Sequence, residues 1–177
     1  MHKKYAIISS YLQKREYLKS IFPQLKDENI TFSRDTSFET HVMHATGGTG
    51  CDVILNSLTG DKLQASLRCL AMDGRFLETS KHNLAQNTPL GMAILLKNVS
   101  IHGILLDSLF VEEDPDWDQV TKLMGQGLKD GVVKPLKTTV FNKGETEQAF
   151  RFMAQGITTG KVVIRVSIII LNAMNTI

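Results

Sequence analysis

Short apolar runs alternate with amphipathic stretches through the first 107 residues. Tyr5–Ser9, Ile30-Thr31-Phe32, Cys51–Leu58, Arg75–Glu78 and Val99–Leu106 (interrupted by Gly103) each have the length and apolar character of a strand. The centre of the third run, Val53-Ile54-Leu55, is continuously apolar, which predicts a strand covered on both faces. Helical spacing fills the intervals. Lys14–Phe22 is one such stretch, stopped by Pro23. Thr36-Ser37-Phe38-Glu39 has a capping-box pattern ahead of a Phe38, Val42, Met43 stripe. Asp61 stands where a helix cap is needed, with Leu63, Leu67 and Leu70 on one face and Gly74 as the stop. Strand and helix in alternation predict βαβ units on a parallel sheet, with right-handed crossovers putting helices on both faces.

After Asp107 the rhythm changes. Asp114-Pro115 opens a helix carrying Trp117, Val120, Leu123 and Leu128 on one side. An extended piece (Lys137–Phe141), a helix (Gln148–Ala154) and a strand (Lys161–Val166) follow. The chain therefore divides into residues 1–107 and 108–177. The apolar tail Val166–Leu171 is too short to span a bilayer and reads as a buried strand or an aggregation-prone end.

Composition narrows the classes. Hydrophobic content of 42% and charged content of 21% describe a globular chain, and a net charge of +2 gives no footprint for nucleic acid. The run after Lys4 is shorter than a signal-peptide core, so neither export nor a membrane is expected. Cys51 and Cys69 make neither a disulfide framework nor a metal cluster. They read as buried, reduced thiols, which fits the cytoplasm. His41 and His44 stand at i, i+3 without a carboxylate or cysteine to complete a metal set, so they read as surface residues.

In open α/β sheets ligands bind outside the carboxyl ends of the strands. Gly47, Gly48 and Gly50 precede a strand instead of following one, so they read as a turn and helix cap, not as a phosphate cradle. Ser9-Ser10, followed by Lys14-Arg15, combines small hydroxyls with cations. That suits the 2′-phosphate of NADPH, or equally an ordinary solvated first turn. Asn56, in Asn56-Ser57-Leu58, can hold a ribose hydroxyl or cap its own turn. Lys81, after Thr79-Ser80, and Asp107 fall at neighbouring strand ends. An ammonium beside a carboxylate can protonate or polarise a substrate, or form a surface ion pair worth under about 1 kcal/mol.

Several long segments go further: CDVILNSLTGDKLQASLRCLAMDGRFLETSK, LGMAILLKNVSIHGILLDSLF, GVVKPLKTTVF and AFRFMAQGITTGKVVI. From about Leu12 to Val166 the chain closely resembles the enoyl reductase domain of animal-type fatty acid synthase, a medium-chain dehydrogenase/reductase without zinc. The resemblance implies that NADPH delivers hydride to the β-carbon of an α,β-unsaturated acyl thioester on acyl carrier protein, after which a proton reaches the α-carbon. It makes Lys81 and Asp107 the proton-donating or polarising pair and sets Lys14 and Arg15 against the 2′-phosphate. Ser9 and Ser10 then form the adjoining turn, and Asn56, Ser57, Leu58 and Ser80 line the cofactor. Two places depart from the family: Ser10-Tyr11 replaces Gly-Ser, and Thr79-Ser80 replaces Ile-Gly.

The resemblance starts at the family's second Rossmann strand. The first strand, its glycine loop and most of the substrate domain are expected before Met1. Residues 108–177 are expected to be the C-terminal remnant of the GroES-like substrate domain. The fold expected is α/β, a partial Rossmann-like parallel sheet lacking its first strand and Gly-rich loop. In the order 3-2-1-4-5-6 that loss removes the centre, so the flanking strands either stay apart or pair directly. The function expected is that of an enoyl-thioester reductase fragment, inactive alone and partnered by the rest of a synthase or by a second copy. The alternatives are a non-catalytic remnant or binding module, and a methyltransferase-like domain whose middle strands DVILNSL and GRFLE imitate.

Overall fold

The computed structural model describes residues 7–9, 12–110, 115–156 and 158–166. In chain order the elements are β1 (Ile7–Ser9), α1 (Leu12–Ile21), β2 (Ile30–Phe32), α2 (Phe38–Ala45), β3 (Cys51–Asn56), α3 (Asp61–Arg68) and β4 (Leu70–Glu78). Then come α4 (Lys81–Ala85), β5 (Ser100–Gly103), α5 (Pro115–Lys129), β6 (Thr138–Asn142), α6 (Thr146–Ala154) and β7 (Lys161–Arg165). Every ladder is parallel.

Among the described residues the strands form three sheets: β1-β2, β3-β4-β5 and β6-β7. Of the two arrangements the sequence left open, the strands stay apart: among the described residues β1 and β3 share no ladder. The two sheets are linked through α2, which packs on β2 and on α3.

The core lies on one face of β3-β4-β5. Phe38 and Val42 of α2 meet Ala65 and Cys69, with Cys51, Ile54 and Leu58 against them. Leu63 and Leu67 of α3 meet Leu70 and Phe76, with Ile54, Val99 and Ile101 alongside. Ile54 belongs to both clusters. Its neighbours Val53 and Leu55 point to the opposite face and are 47% and 70% exposed. The two-sided cover predicted for this strand is therefore not found. An apolar run reports what a strand is built to bury, not whether a neighbour is there to bury it.

Three local expectations are also corrected. The capping-box pattern puts Thr36 at the cap, but the residue flanking α2 is Ser37, which has helical backbone angles and makes no side-chain cap bond. Asp35 accepts the Ser37 N–H (2.9 Å) instead. Glu39, the box's acid, turns across to Arg68 of α3, which donates two bonds to it (2.7 and 2.6 Å). The residue before α3 is Gly60 (φ 63°), while Asp61 lies inside the first turn, where its charge favours the helix N-terminus. The helix stops at Arg68, and Leu70 already begins β4. The β3–β4 register jumps from Cys51↔Leu70 to Val53↔Arg75, so Ala71–Gly74 loop out of the ladder. Gly47 and Gly48 do cap α2, donating to His44 O (3.1 Å) and Met43 O (2.8 Å) at φ 64° and 82°.

Arg68's hydrogen bonds hold the Glu39 carboxyl below its ordinary range, against a smaller opposing effect of burial. A depressed folded-state value means the pair stabilises above the unfolded carboxylate range and that this is lost as pH falls through the folded value. The pair is partly exposed, so Arg68→Ala is expected to cost at most about 1 kcal/mol near neutrality. Urea midpoints of the two proteins should converge as pH is lowered below the carboxylate range.

Both cysteines are free; Cys69 is buried as expected, whereas Cys51 is only half-buried. Burial pushes the Cys69 thiol up to about 12, with the Glu39 charge adding to it, and raises Cys51 by the same dominant cause. At about pH 8 only roughly one Cys69 in ten thousand is then thiolate. Native protein should leave Cys69 unalkylated by iodoacetamide on a timescale that fully labels it in denaturant. Equal labelling in both, read by mass spectrometry, would contradict this burial.

The later region holds a β6–α6–β7 crossover unit, closed by a Phe141–Phe152 ring contact at 5.8 Å. Asp114, Ser10, Tyr11 and the tail from Ser167 lie outside the described residues.

Candidate functional site at the carboxyl ends of the strands

β3, β4 and β5 end side by side: Asn56 is in register with Glu78, and Glu78 with Gly103. Strand alternation points Glu78 inward with Phe76, and the residue is 6% exposed. No cation meets it. Oε1 accepts the Ser80 N–H (2.7 Å), while Oε2 accepts from Asn56 Nδ2 (2.9 Å) and Asn83 Nδ2 (3.1 Å). The two amides also reach Leu58 O, at 2.9 and 2.8 Å. One buried acid thus binds the end of β3, the turn after it and the first turn of α4. Sequence reading missed both Glu78 and Asn83. The signal available was an acid two positions from an inward phenylalanine in a strand.

That network fixes Lys81. Ser80 caps α4, its Oγ accepting the Asn83 N–H (3.3 Å), and Lys81 is the first helical residue. Asp107 lies in a 3-10 turn, residues 106–110, beyond β5. The Lys81 ammonium donates to Asp107 Oδ2, and both side chains are well exposed. Two residues separated in sequence are thereby brought together over the ends of β4 and β5.

Asn56 is 2% exposed; its Nδ2 serves Glu78 and Leu58 O, and its Oδ1 accepts the Leu58 N–H (3.3 Å), so its side chain is taken up by the turn. Ser57 is exposed and Leu58 half-buried. Ser80 is buried under its own cap. Ser9 ends β1. Arg15 donates to Asp27 Oδ1 (2.9 Å) and to Asp27 O (2.9 Å), and its guanidinium stands 5.8 Å from the Phe32 ring centre. Lys14 lies on the same helix, α1. Asp27 is held below the usual carboxylate range by hydrogen bonds from Lys19 and then Arg15. Ser10 lies outside the described residues.

A dinucleotide needs an anion cradle as well as these groups. Gly47 and Gly48 spend their N–H groups on α2, and Gly50 donates to Thr46 Oγ1 (3.1 Å), at the amino end of β3. Among the described residues, no glycine-rich turn links the carboxyl end of a strand to a helix with free N–H groups. The described residues thus bring a lysine and an aspartate together at the carboxyl ends of the strands, with no anion cradle beside them. No group of three or more metal-binding side chains is found among the described residues, and no helix there is long and apolar enough to cross a membrane.

Fold and site together define a Rossmann-like half-sheet with a lysine–aspartate pair at its carboxyl edge. The sequence model described as zinc-binding dehydrogenase matches residues 26–164, and the chain belongs to that family. Its likeness within the family is to enoyl reductase domains. The crystal structure of CurK enoyl reductase is 29% identical with a TM-score of 0.71, over 92% of this chain and 47% of that one. The nucleotide-binding subdomain of the enoylreductase domain of PpsC from Mycobacterium tuberculosis is 28% identical with a TM-score of 0.64, over 74% of this chain and 71% of that one. In sequence, the highly reducing polyketide synthase fogA of Aspergillus ruber is 36% identical over 155 residues, 85% of this chain and 6% of that protein. The chain thus spans about half of the first enoyl reductase and a small fraction of the synthase. These relatives leave the methyltransferase-like alternative without support.

Proposed function

We propose that this chain is the downstream part of an enoyl-thioester reductase in a multidomain acyl-chain synthase, of the fatty acid type indicated by the segments quoted above. The substrate class is an α,β-unsaturated acyl thioester carried by acyl carrier protein, and the setting is cytoplasmic. Residues 1–107 are the nucleotide-binding portion and 108–177 belong to the substrate domain. The observation that carries the reading is the Lys81–Asp107 pair over the carboxyl ends of the sheet. NADPH, when bound, supplies hydride to the β-carbon of the thioester. Lys81 then gives a proton to the α-carbon, while Asp107, which accepts its hydrogen bond, keeps the ammonium aimed. Ser9, Ser57 and the Leu58 backbone border the cofactor's ribose side. Arg15 and Lys14 serve a 2′-phosphate only if Arg15 is shared with Asp27.

The chain by itself is expected to take up NADPH too weakly to saturate, since its described residues offer the pyrophosphate no cradle. Covalent fusion behind the upstream half of a solved enoyl reductase tests the reading directly. The fusion should oxidise NADPH at 340 nm with crotonyl-pantetheine as acceptor. A fusion that is folded, binds NADPH and leaves the thioester unreduced would overturn the proposal.

A further inference from the structure

Lys81 opens α4 and Asp107 lies in the 3-10 turn after β5, and apolar side chains stand beside the pair on both elements. Side chains three apart on a helix share a face, so Leu84 lies one turn from Lys81. Leu84 Cδ2 rests against the end of β5, 3.5 Å from where a Cβ on Gly103 would sit. In a 3-10 helix the repeat is three residues, and side chains at i and i+3 eclipse. Phe110 therefore shares the Asp107 face of its turn, about 6 Å further along the axis. Its ring meets that of Trp117 on α5 at 5.5 Å between centres, tilted by 51°. Core packing does not account for the pair: Phe110 is 77% exposed and Trp117 43%. Val120, one turn further along α5, is exposed as well.

We infer that Phe110 and Trp117 form a shelf for the alkyl tail of an acyl thioester and make the site select longer acyl chains over short ones. This rests on the function proposed above and goes further by naming which acyl groups the site takes. The thioester end is fixed by the ammonium of Lys81. A crotonyl group stops one methyl beyond its β-carbon, short of rings that stand a full turn from Asp107. A decenoyl group carries an alkyl tail long enough to lie across them. Each methylene removed from water strengthens binding roughly fourfold, so two of them on the rings exceed a tenfold preference. A protein segment seated on the shelf is the other possible occupant. It would stand over Asp107, one turn away, where the proposed reaction needs its substrate.

Trp117 is the chain's only tryptophan, so its emission reports on the shelf directly. The full chain is titrated, without cofactor, with α,β-unsaturated decenoyl-pantetheine and with crotonyl-pantetheine. The expected result is a saturable change in emission with the decenoyl thioester, at a Kd at least tenfold below that of the crotonyl one. Phe110→Ala should weaken decenoyl binding at least fivefold and leave the chain folded, because Phe110 is largely exposed. Leu128→Lys, in the last turn of α5 and exposed too, should change nothing. No response, equal Kd values for the two thioesters, or undiminished binding by Phe110→Ala overturns the inference. The reductase reading fails separately: a covalent fusion that binds NADPH and decenoyl-pantetheine but leaves the thioester unreduced keeps the shelf and removes the reaction.

Discussion

In the covalent fusion, Lys81→Met should lower the turnover of crotonyl-pantetheine by roughly 10²- to 10⁴-fold, the usual worth of a positioned general acid. The folded state should barely notice. The Lys81–Asp107 pair is exposed on both sides, so its loss costs at most about 1 kcal/mol in a urea titration. That split separates a chemical role from a surface ion pair, the two readings open from sequence alone. Lys81→Arg should restore charge without restoring rate, because a guanidinium holds its proton too tightly to give it up. A Lys81→Met fusion retaining more than a tenth of the rate would assign proton delivery to another group.

Removing the buried acid should act the other way round, on stability first. Glu78→Ala strips the acceptor from three N–H donors in a site from which water is largely excluded. Hydrogen bonds to a charged group contribute about 1.5–3 kcal/mol each, and they are not additive. The expected loss is about 2–4 kcal/mol, because each buried donor left unpaired costs about 1–3 kcal/mol and the two amides keep their bonds to Leu58 O. Glu78→Gln keeps the volume but turns an NH₂ toward donors, so a smaller loss of about 1–3 kcal/mol is expected. Urea midpoints at constant m-value measure both. A change below about 1 kcal/mol in Glu78→Ala would show that solvent already satisfies these donors.

Much of the fold was legible because its signals are local. Strand and helix alternation, the proline stop after α1 and the glycine cap of α2 each depend on residues within a few positions. What was misread depended on partners far along the chain. Glu39 had the spacing of a capping box, but Arg68 offered it two charge-assisted bonds. Leu70 continued the helical stripe of α3, yet the ladder with Cys51 claimed it for β4. Val53-Ile54-Leu55 announced burial on two faces, and only one is covered. At the site, the order of Lys81 and Asp107 in the chain said they were near strand ends. Their contact required the parallel β4–β5 register. Glu78 was hidden because a lone acid in a strand looks solvated until its opposite residue, Asn56, is known.

Gly160 sets a condition on the β6–α6–β7 unit. A Cβ there would sit 1.9 Å from the carbonyl oxygen of Lys137, and the backbone is at φ 84°. The adjacent Lys161 N–H closes on that same oxygen at 2.8 Å. The zipper joining β6 to β7 therefore starts from a point with room for a hydrogen atom and nothing larger. Any descendant of this sequence that trades Gly160 for a residue with a side chain must have rebuilt the start of both strands, so this one position serves as a gauge of whether the unit survives elsewhere.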